Sequence, residues 1–316
     1  MRVFVAGGSG ALGRRVVRRL VESGHGARAT ARGAAAADTV RAGGGEPVQI
    51  DVFDAAAVRG ALDGCDAVLR LTTKIPPMLH MRSARAWRET GRLRNEGARL
   101  LVDACLDAGI DTYLHESVTF VYADGGDAWL DEDAALDVAP TPLRDAASGE
   151  AHATRFAGAG GRGIVLRFAG FYAADTTQTL AMAEMARQRR VALIGPSQNY
   201  FSAIHVDDAA AAVVAALDAP AGVYNIADGE PLRLAEFMGC LAGAARAPAL
   251  RRIPAIAGPV VLGETWRYLR RSQRVSAERF RTITGWAPEY RDARSGFRSI
   301  AAQWAAGVTV SQGSPA

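Results

Sequence analysis

An α/β fold, with a doubly wound parallel sheet and a smaller C-terminal substrate-binding region, is the architecture this sequence predicts. Three observations carry the expectation. Short apolar runs alternate with segments of helical periodicity through the first half of the chain, the order that builds parallel β-α-β units. The first run, Val3 to Ala6, feeds directly into a glycine-rich turn, Gly7-Gly8-Ser9-Gly10-Ala11-Leu12-Gly13. From Phe171 onward the alternation loses its regularity, which marks off a second region. A chain of 316 residues is long enough for one large core or for a main domain with a smaller one.

The elements follow in order. After the glycine turn comes a helix whose apolar positions Val16, Val17, Leu20 and Val21 give it a buried side. His25-Gly26 turns into a strand from Ala27 to Ala31, ending at Arg32. Residues 33–45 read as a short alanine- and glycine-rich helix, and 48–50 as a third strand closed by Asp51. Val58 and Leu62 mark a small helix before the Asp63-Gly64 turn, and 67–71 is the fourth strand. Pro76 and Pro77 then interrupt the chain. The basic stretch from Lys74 to Arg94 reads either as a flap closing over substrate, with Trp87 as its apolar face, or as a helix with its arginines in water. Leu93, Leu100, Leu101 and Cys105 turn its second half, running to about Ala108, toward the core. A strand over 113–119, an acidic loop over 123–142, a helix over 148–156 and a strand over 164–168 come next. Helices over 180–190, 209–217 and 232–245 and a late strand over 223–226 follow. The expected domains are 1–170, with 201–226 returning to it, and a substrate region of 171–200 and 227–306. Residues 307–316, with their Gln, Gly, Ser and Pro, are expected to be a disordered tail.

Composition excludes more than it selects. The apolar fraction of 49% and charged fraction of 22% are those of an ordinary soluble protein. Net charge is +4 with the basic residues scattered, which argues against a nucleic-acid partner. Of the 37 basic residues all but Lys74 are arginine, and alanine makes up about a fifth of the chain. Arginine abundance therefore reflects coding bias more than function. Cys65, Cys105 and Cys240 are too few and too far apart for a disulfide framework or a metal site. His25, His80, His115, His152 and His205 have no metal-ligand spacing either. With no leader pattern, and no apolar run longer than 209–217, the expectation is a cytoplasmic protein without a membrane partner.

The glycine turn carries the first functional inference. Glycines at 7, 10 and 13 clear side chains from where a pyrophosphate approaches, and the helix amides beyond face it with the positive end of the dipole. Gly8, Gly10 and Gly13 also fit the rival G-x-G-x-x-G spacing. An ordinary tight turn is the alternative, but the flanking strand and helix supply the context the motif requires. An acid at the end of the second strand accepts from a ribose 2′-hydroxyl, whereas arginine suits a 2′-phosphate. Arg32 stands there with no acid before Asp38, which predicts NADP over NAD. Arg14 either joins that phosphate or is simply a surface helix residue.

By these residues the chain resembles the extended short-chain dehydrogenases/reductases, the NAD-dependent epimerase/dehydratase group. Residues 6–13 look like that family's glycine signature, so Gly7, Ser9, Gly10, Ala11, Leu12 and Gly13 would line the cofactor. Asp51-Val52 resembles its adenine-contacting pair, and Leu71-Thr72-Thr73 sits where it places a loop along the cofactor. Ser117 to Tyr122, Arg167 to Tyr172, Phe201 to Ala209 and Gly222 to Ile226 echo its later landmarks, although Ala173-Ala174 replaces the usual Gly-Pro. The resemblance spans roughly residues 1–300 and implies a Rossmann fold, a small-molecule substrate and a possible homodimer.

One departure outweighs the matches. Such enzymes carry Tyr-x-x-x-Lys on the helix after the fifth strand, the tyrosine as acid/base and the lysine lowering its pKa. Here no tyrosine has Lys four residues on, and alignment on Glu150 puts Pro142 and Ala146 at the two positions. Other groups must supply the chemistry. Glu116 and Ser117 end the fifth strand, where ligands bind in open parallel sheets. Glu116 would serve as acid or base, unless it is paired with one of the many arginines. Tyr172 borders the substrate pocket or only packs, and Lys74 lies near the nicotinamide or in solvent. His205, Asp207 and Asp208 suit a helix cap. An NADP-dependent oxidoreductase acting on a small or medium organic, secondary-metabolite substrate is the leading expectation. An isomerase, dehydratase or cyclase without net redox, and a non-catalytic NADP-binding regulator, are the alternatives.

Overall fold

The computed structural model describes residues 1–77 and 80–307. The first unit runs β1 (Arg2–Ala6), α1 (Gly13–Glu22), β2 (Gly26–Thr30), α2 (Ala34–Ala42), β3 (Glu46–Val48), α3 (Ala55–Ala61) and β4 (Ala67–Arg70). There follow α4 (Ala84–Arg92), α5 (Ala98–Asp107), β5 (Thr112–Val118), β6 (Trp129–Leu130), α6 (Thr141–Gly158), β7 (Arg162–Phe168) and β8 (Gly170–Tyr172). The remainder is α7 (Thr177–Arg187), β9 (Ala192–Ile194), β10 (Tyr200–Phe201), β11 (Ala203–His205), α8 (Val206–Ala215), β12 (Gly222–Ile226) and β13 (Leu232–Arg233). After these come α9 (Leu234–Ala244), β14 (Arg251–Ile253), α10 (Gly258–Leu262), α11 (Trp266–Leu269), β15 (Arg274–Val275), α12 (Glu278–Thr284) and α13 (Ala293–Ala305).

Seven strands form the main sheet in the order β12-β7-β5-β4-β1-β2-β3, every pairing parallel. The order reverses between β1 and β4, the switch point at which doubly wound sheets bind ligands. Helices cover both faces, so central strands are apolar on both sides: Val3, Phe4, Val5 and Ala6 are all fully buried. Val3 and Val5 belong to the core under α1 and α8, with Val16, Val17, Leu20 and Val213. Phe4 and Ala6 belong to the core under α3 and α5, with Val58, Leu101 and Cys105. A third core, around Tyr172, Phe237 and Phe297, holds α7, α9 and α13 together.

Several boundaries differ from the sequence reading. Helix α6 begins at Thr141 rather than 148, because Pro142 sits in its first turn, where a missing N–H is harmless and φ is already helical. The acidic stretch 123–142 is not all loop, since β6 within it pairs in parallel with β15. The basic stretch is helical from Ala84 onward, where Trp87 is buried and donates from Nε1 to the Met81 carbonyl at 2.8 Å. Part of that expected flap, residues 78 and 79, and all but the first residue of the expected tail lie outside the described residues. No helix among the described residues is long and apolar enough to cross a membrane.

Candidate nucleotide-binding and active site

The glycine turn lies at the C-terminal end of β1. Gly7 has φ +97°, a left-handed conformation that side chains rarely adopt, and its amide donates to Thr30 Oγ1 at 2.7 Å. Gly13 lies so close to the turn that a Cβ there would come within 2.0 Å of the Gly7 carbonyl oxygen. Gly10 is exposed. Among the described residues, the amides of Ala11 and Leu12 have no acceptor in the chain, as expected for orphan donors before a helix's first intrahelical bond. Ser9 is half-buried and Leu12 buried at the same turn. The turn is thus a backbone cradle with open donors, and it fits a pyrophosphate.

The other expected cofactor residues share that edge. Arg32 follows β2, is exposed and makes no side-chain hydrogen bond or ion pair among the described residues. Asp51 is exposed beyond β3 and accepts from the Phe53 amide at 3.0 Å, while Val52 is buried. Leu71, Thr72 and Thr73 run on from β4, Leu71 against Gly7. Arg14 is half-buried and pairs with Asp175 at 2.5 Å, across the fold rather than as a lone surface residue. Arg15, buried, bridges Asp175 at 2.7 Å and Asp207, tying α1 to α8. Its acidic partners lie 160 and more residues away, so no local pattern announced them.

The catalytic candidates are less free. Glu116 is buried against Arg70, Oε2 to Nη1 at 3.4 Å, and accepts from Thr73 Oγ1 at 2.6 Å. This is the ion-paired alternative for Glu116. Ser117 donates from Oγ to Glu150 Oε1 at 2.6 Å. Glu150 is in turn gripped by Arg167, Nε at 2.9 Å and Nη2 at 2.7 Å, and Arg167 Nη1 donates to the Tyr122 hydroxyl at 3.0 Å. Burial opposes the Arg167 charge, yet Glu150 holds its pKa above the ordinary value. Tyr172 is buried in the third core, stacked on Phe297 with ring centroids 4.9 Å apart. Its phenol is pushed up by burial first and by Asp228 and Asp208 second. It lines a cavity of about 30 Å³ with Phe171, Gln178, Met182 and Phe237, too small for an organic substrate.

The remaining positions fall as follows. Lys74 is exposed and pairs with Glu89 at 2.7 Å. Pro142, Ala146 and Glu150 are all buried on α6. His205 itself caps α8, Nδ1 accepting from the Asp207 amide at 3.3 Å. Phe120, just past β5, stands between Phe201 and Tyr268 at centroid distances of 6.2 and 5.9 Å and forms an aromatic wall with them. Tyr268 belongs to α11, an element the sequence reading did not place. Among the described residues, no group of three His, Cys, Asp or Glu could hold a metal.

A parallel sheet with a glycine-rich turn at its switch point defines a Rossmann-type fold. Residues 3–227 match the family model described as the NAD dependent epimerase/dehydratase family. The chain belongs to that family, whose members are NAD(P)-dependent oxidoreductases or epimerase-like enzymes. It is 32% identical to a Streptomyces 3-diazoavenalumate denitrifying reductase, covering 94% of this chain and 99% of that one. It is 29% identical to a Stigmatella aurantiaca farnesyl-dihydroquinoline-1-oxide ketoreductase, over 76% of this chain and 72% of that one. A human epimerase family protein solved with NADPH shares the fold with TM-score 0.79, at 22% identity over 96% of this chain and 99% of that one.

Proposed function

We propose that this chain is an NADPH-dependent reductase of secondary metabolism whose acceptor is a small electron-poor arene of the diazo class. The observation that carries the reading is the buried Pro142 and Ala146 where an acid/base tyrosine and its lysine would stand. Loss of that pair removes the usual proton donor for carbonyl reduction, and it costs nothing if the acceptor needs no proton. The bound cofactor would supply a hydride: an arenediazonium that takes it at the ring carbon breaks its C–N bond, releases N2 and keeps the new C–H bond, so atoms and charge balance. The 32% identical relative, named a denitrifying reductase, supports this choice.

The chain's own residues then have positioning to do. Gly7, Ser9, Gly10, Ala11, Leu12 and Gly13 would line the pyrophosphate, with the Ala11 and Leu12 amides as its open donors, while Arg32 would hold the 2′-phosphate and Asp51 and Val52 the adenine. Leu71, Thr72 and Thr73 would run along the cofactor toward its reactive end. Glu116 and Ser117 would order the floor through Arg70 and Glu150, and Tyr172 would brace the substrate region from its core. Ketone reduction is the second reading, favoured by the 29% identical relative named a ketoreductase.

The test follows NADPH absorbance with benzenediazonium and with acetophenone, using cofactor deuterated at C4 and a protein-free control. Protein-dependent deuterium in benzene with release of N2 is the expected result. Label in 1-phenylethanol instead would favour the second reading, and label in neither product would remove both. Cofactor choice has its own check. Arg32→Asp is expected to weaken NADPH binding at least tenfold in fluorescence titration while NADH binding holds or improves, and an unchanged ratio would remove Arg32 from the phosphate site.

A further inference from the structure

The region behind Glu116 and Ser117 carries more positive charge than it can pair. Arg94 is only 2% exposed, yet among the described residues it has no carboxylate partner and makes one side-chain hydrogen bond, from Nη1 to the Pro142 carbonyl at 3.0 Å. Its Nε is buried without an acceptor. Arg70, fully buried, lies beside His115 in the β4–β5 register and is likewise unpartnered at Nε. His115 Nε2 is the third unpartnered atom of this group and lies, with the Arg94 carbonyl, against Gly149 of α6. Burial first, then the Arg70 and Arg94 charges, hold the imidazole well below its usual pKa, so it is neutral and adds no counter-charge. Among the described residues, Glu116 is the carboxylate ion-paired within this group, and its partner is Arg70. A buried guanidinium with one neutral acceptor is unfavourable, and an arriving anion would offset that.

The position of Arg94 gives that anion a place. Arg94 lies in a π-helical turn, Leu93–Gly97, between α4 and α5, a wider winding found often at functional sites. Its side chain meets the residue that stands where a catalytic tyrosine would be, and its charge acts on Tyr268, the far side of the aromatic wall at Phe120. We infer that Arg94 is a binding residue for an anionic group on the substrate, a carboxylate or an equivalent oxyanion carried on an aromatic body. Its planar fork suits bidentate carboxylate recognition, with Phe120 and Tyr268 against the ring. The inference rests on the substrate side of the function proposed above, but not on hydride transfer or on the diazo group.

The experiment therefore reads binding, not turnover. Titrate the protein loaded with NADP+ with cinnamate and with methyl cinnamate by calorimetry, then repeat on Arg94→Met and Arg94→Lys, checking each fold by circular dichroism. Wild type is expected to bind the carboxylate at least tenfold more tightly than its ester. Arg94→Met is expected to lose that preference with ester and NADP+ binding retained, and Arg94→Lys to keep part of it. No preference in wild type, or a preference that survives in Arg94→Met, overturns the assignment. Because neither probe can accept a hydride in this assay, failure of the reductase reading alone leaves these affinities unchanged.

Discussion

Glu150→Ala is expected to lose about 3–5 kcal/mol of folding stability, the cost of leaving a buried charge without its partner. Glu150 receives two hydrogen bonds from Arg167 and one from Ser117, and Arg167 passes the chain of contacts to Tyr122. The Tyr122 hydroxyl donates to Asn225 Oδ1 at 2.8 Å, and the Asn225 amide donates to Glu132 Oε1 at 2.8 Å. One carboxylate therefore anchors β5, α6, β7 and β12. Truncating it strands the Arg167 guanidinium between a helix and a sheet. Urea denaturation measures the loss directly, as a lower midpoint at constant slope. The double variant Glu150→Leu with Arg167→Met should recover much of it, since apolar replacement of a whole buried pair is often neutral. Equal losses in the single and double variants would show that packing, not charge, dominates here.

Gly13→Ala is expected to weaken NADPH binding at least a hundredfold and to cost about 1–3 kcal/mol of stability, the range for forcing atoms into packed space. The added methyl would lie 2.0 Å from the Gly7 carbonyl oxygen, a backbone atom that cannot swing aside. Either α1 lifts from β1 or the Gly7 turn shifts, and both move the Ala11 and Leu12 amides off the phosphate position. Gly10→Ala is the control. Its methyl would meet only the Gly7 carbonyl oxygen, at 3.4 Å, so stability should hold while the exposed approach to the turn narrows. Fluorescence titration and thermal unfolding separate the two variants. Near-native affinity in Gly13→Ala would mean that this turn is not the nucleotide cradle.

The fold was largely legible before the structure, because its signals are local. Val3 to Ala6 is apolar at every position since a central parallel strand is buried on both faces, and Val16, Val17 and Leu20 recur at helical spacing. The glycine turn could be read because Gly10 and Gly13 make their closest contacts with Gly7 and Gly8, inside the same short segment. The C-terminal region was not legible in that way. Strands such as β13 and β15 are two residues long, and α10 and α11 are five and four, too short to show a period.

Sequence by itself determined the doubly wound order, the glycine turn and the lack of Tyr-x-x-x-Lys, for these depend on residue identity, short spacing and counting. Tertiary structure alone decided the partners of the charges. Glu116 could be a free acid or half of an ion pair until β4 laid Arg70 beside it, 46 residues away in the chain. Arg14, Arg15 and Arg94 look alike as sequence. Packing gives the first two aspartates across the fold and leaves the third buried without one, because electrostatic partnership depends on distance in space, which side-chain spacing along a chain does not encode.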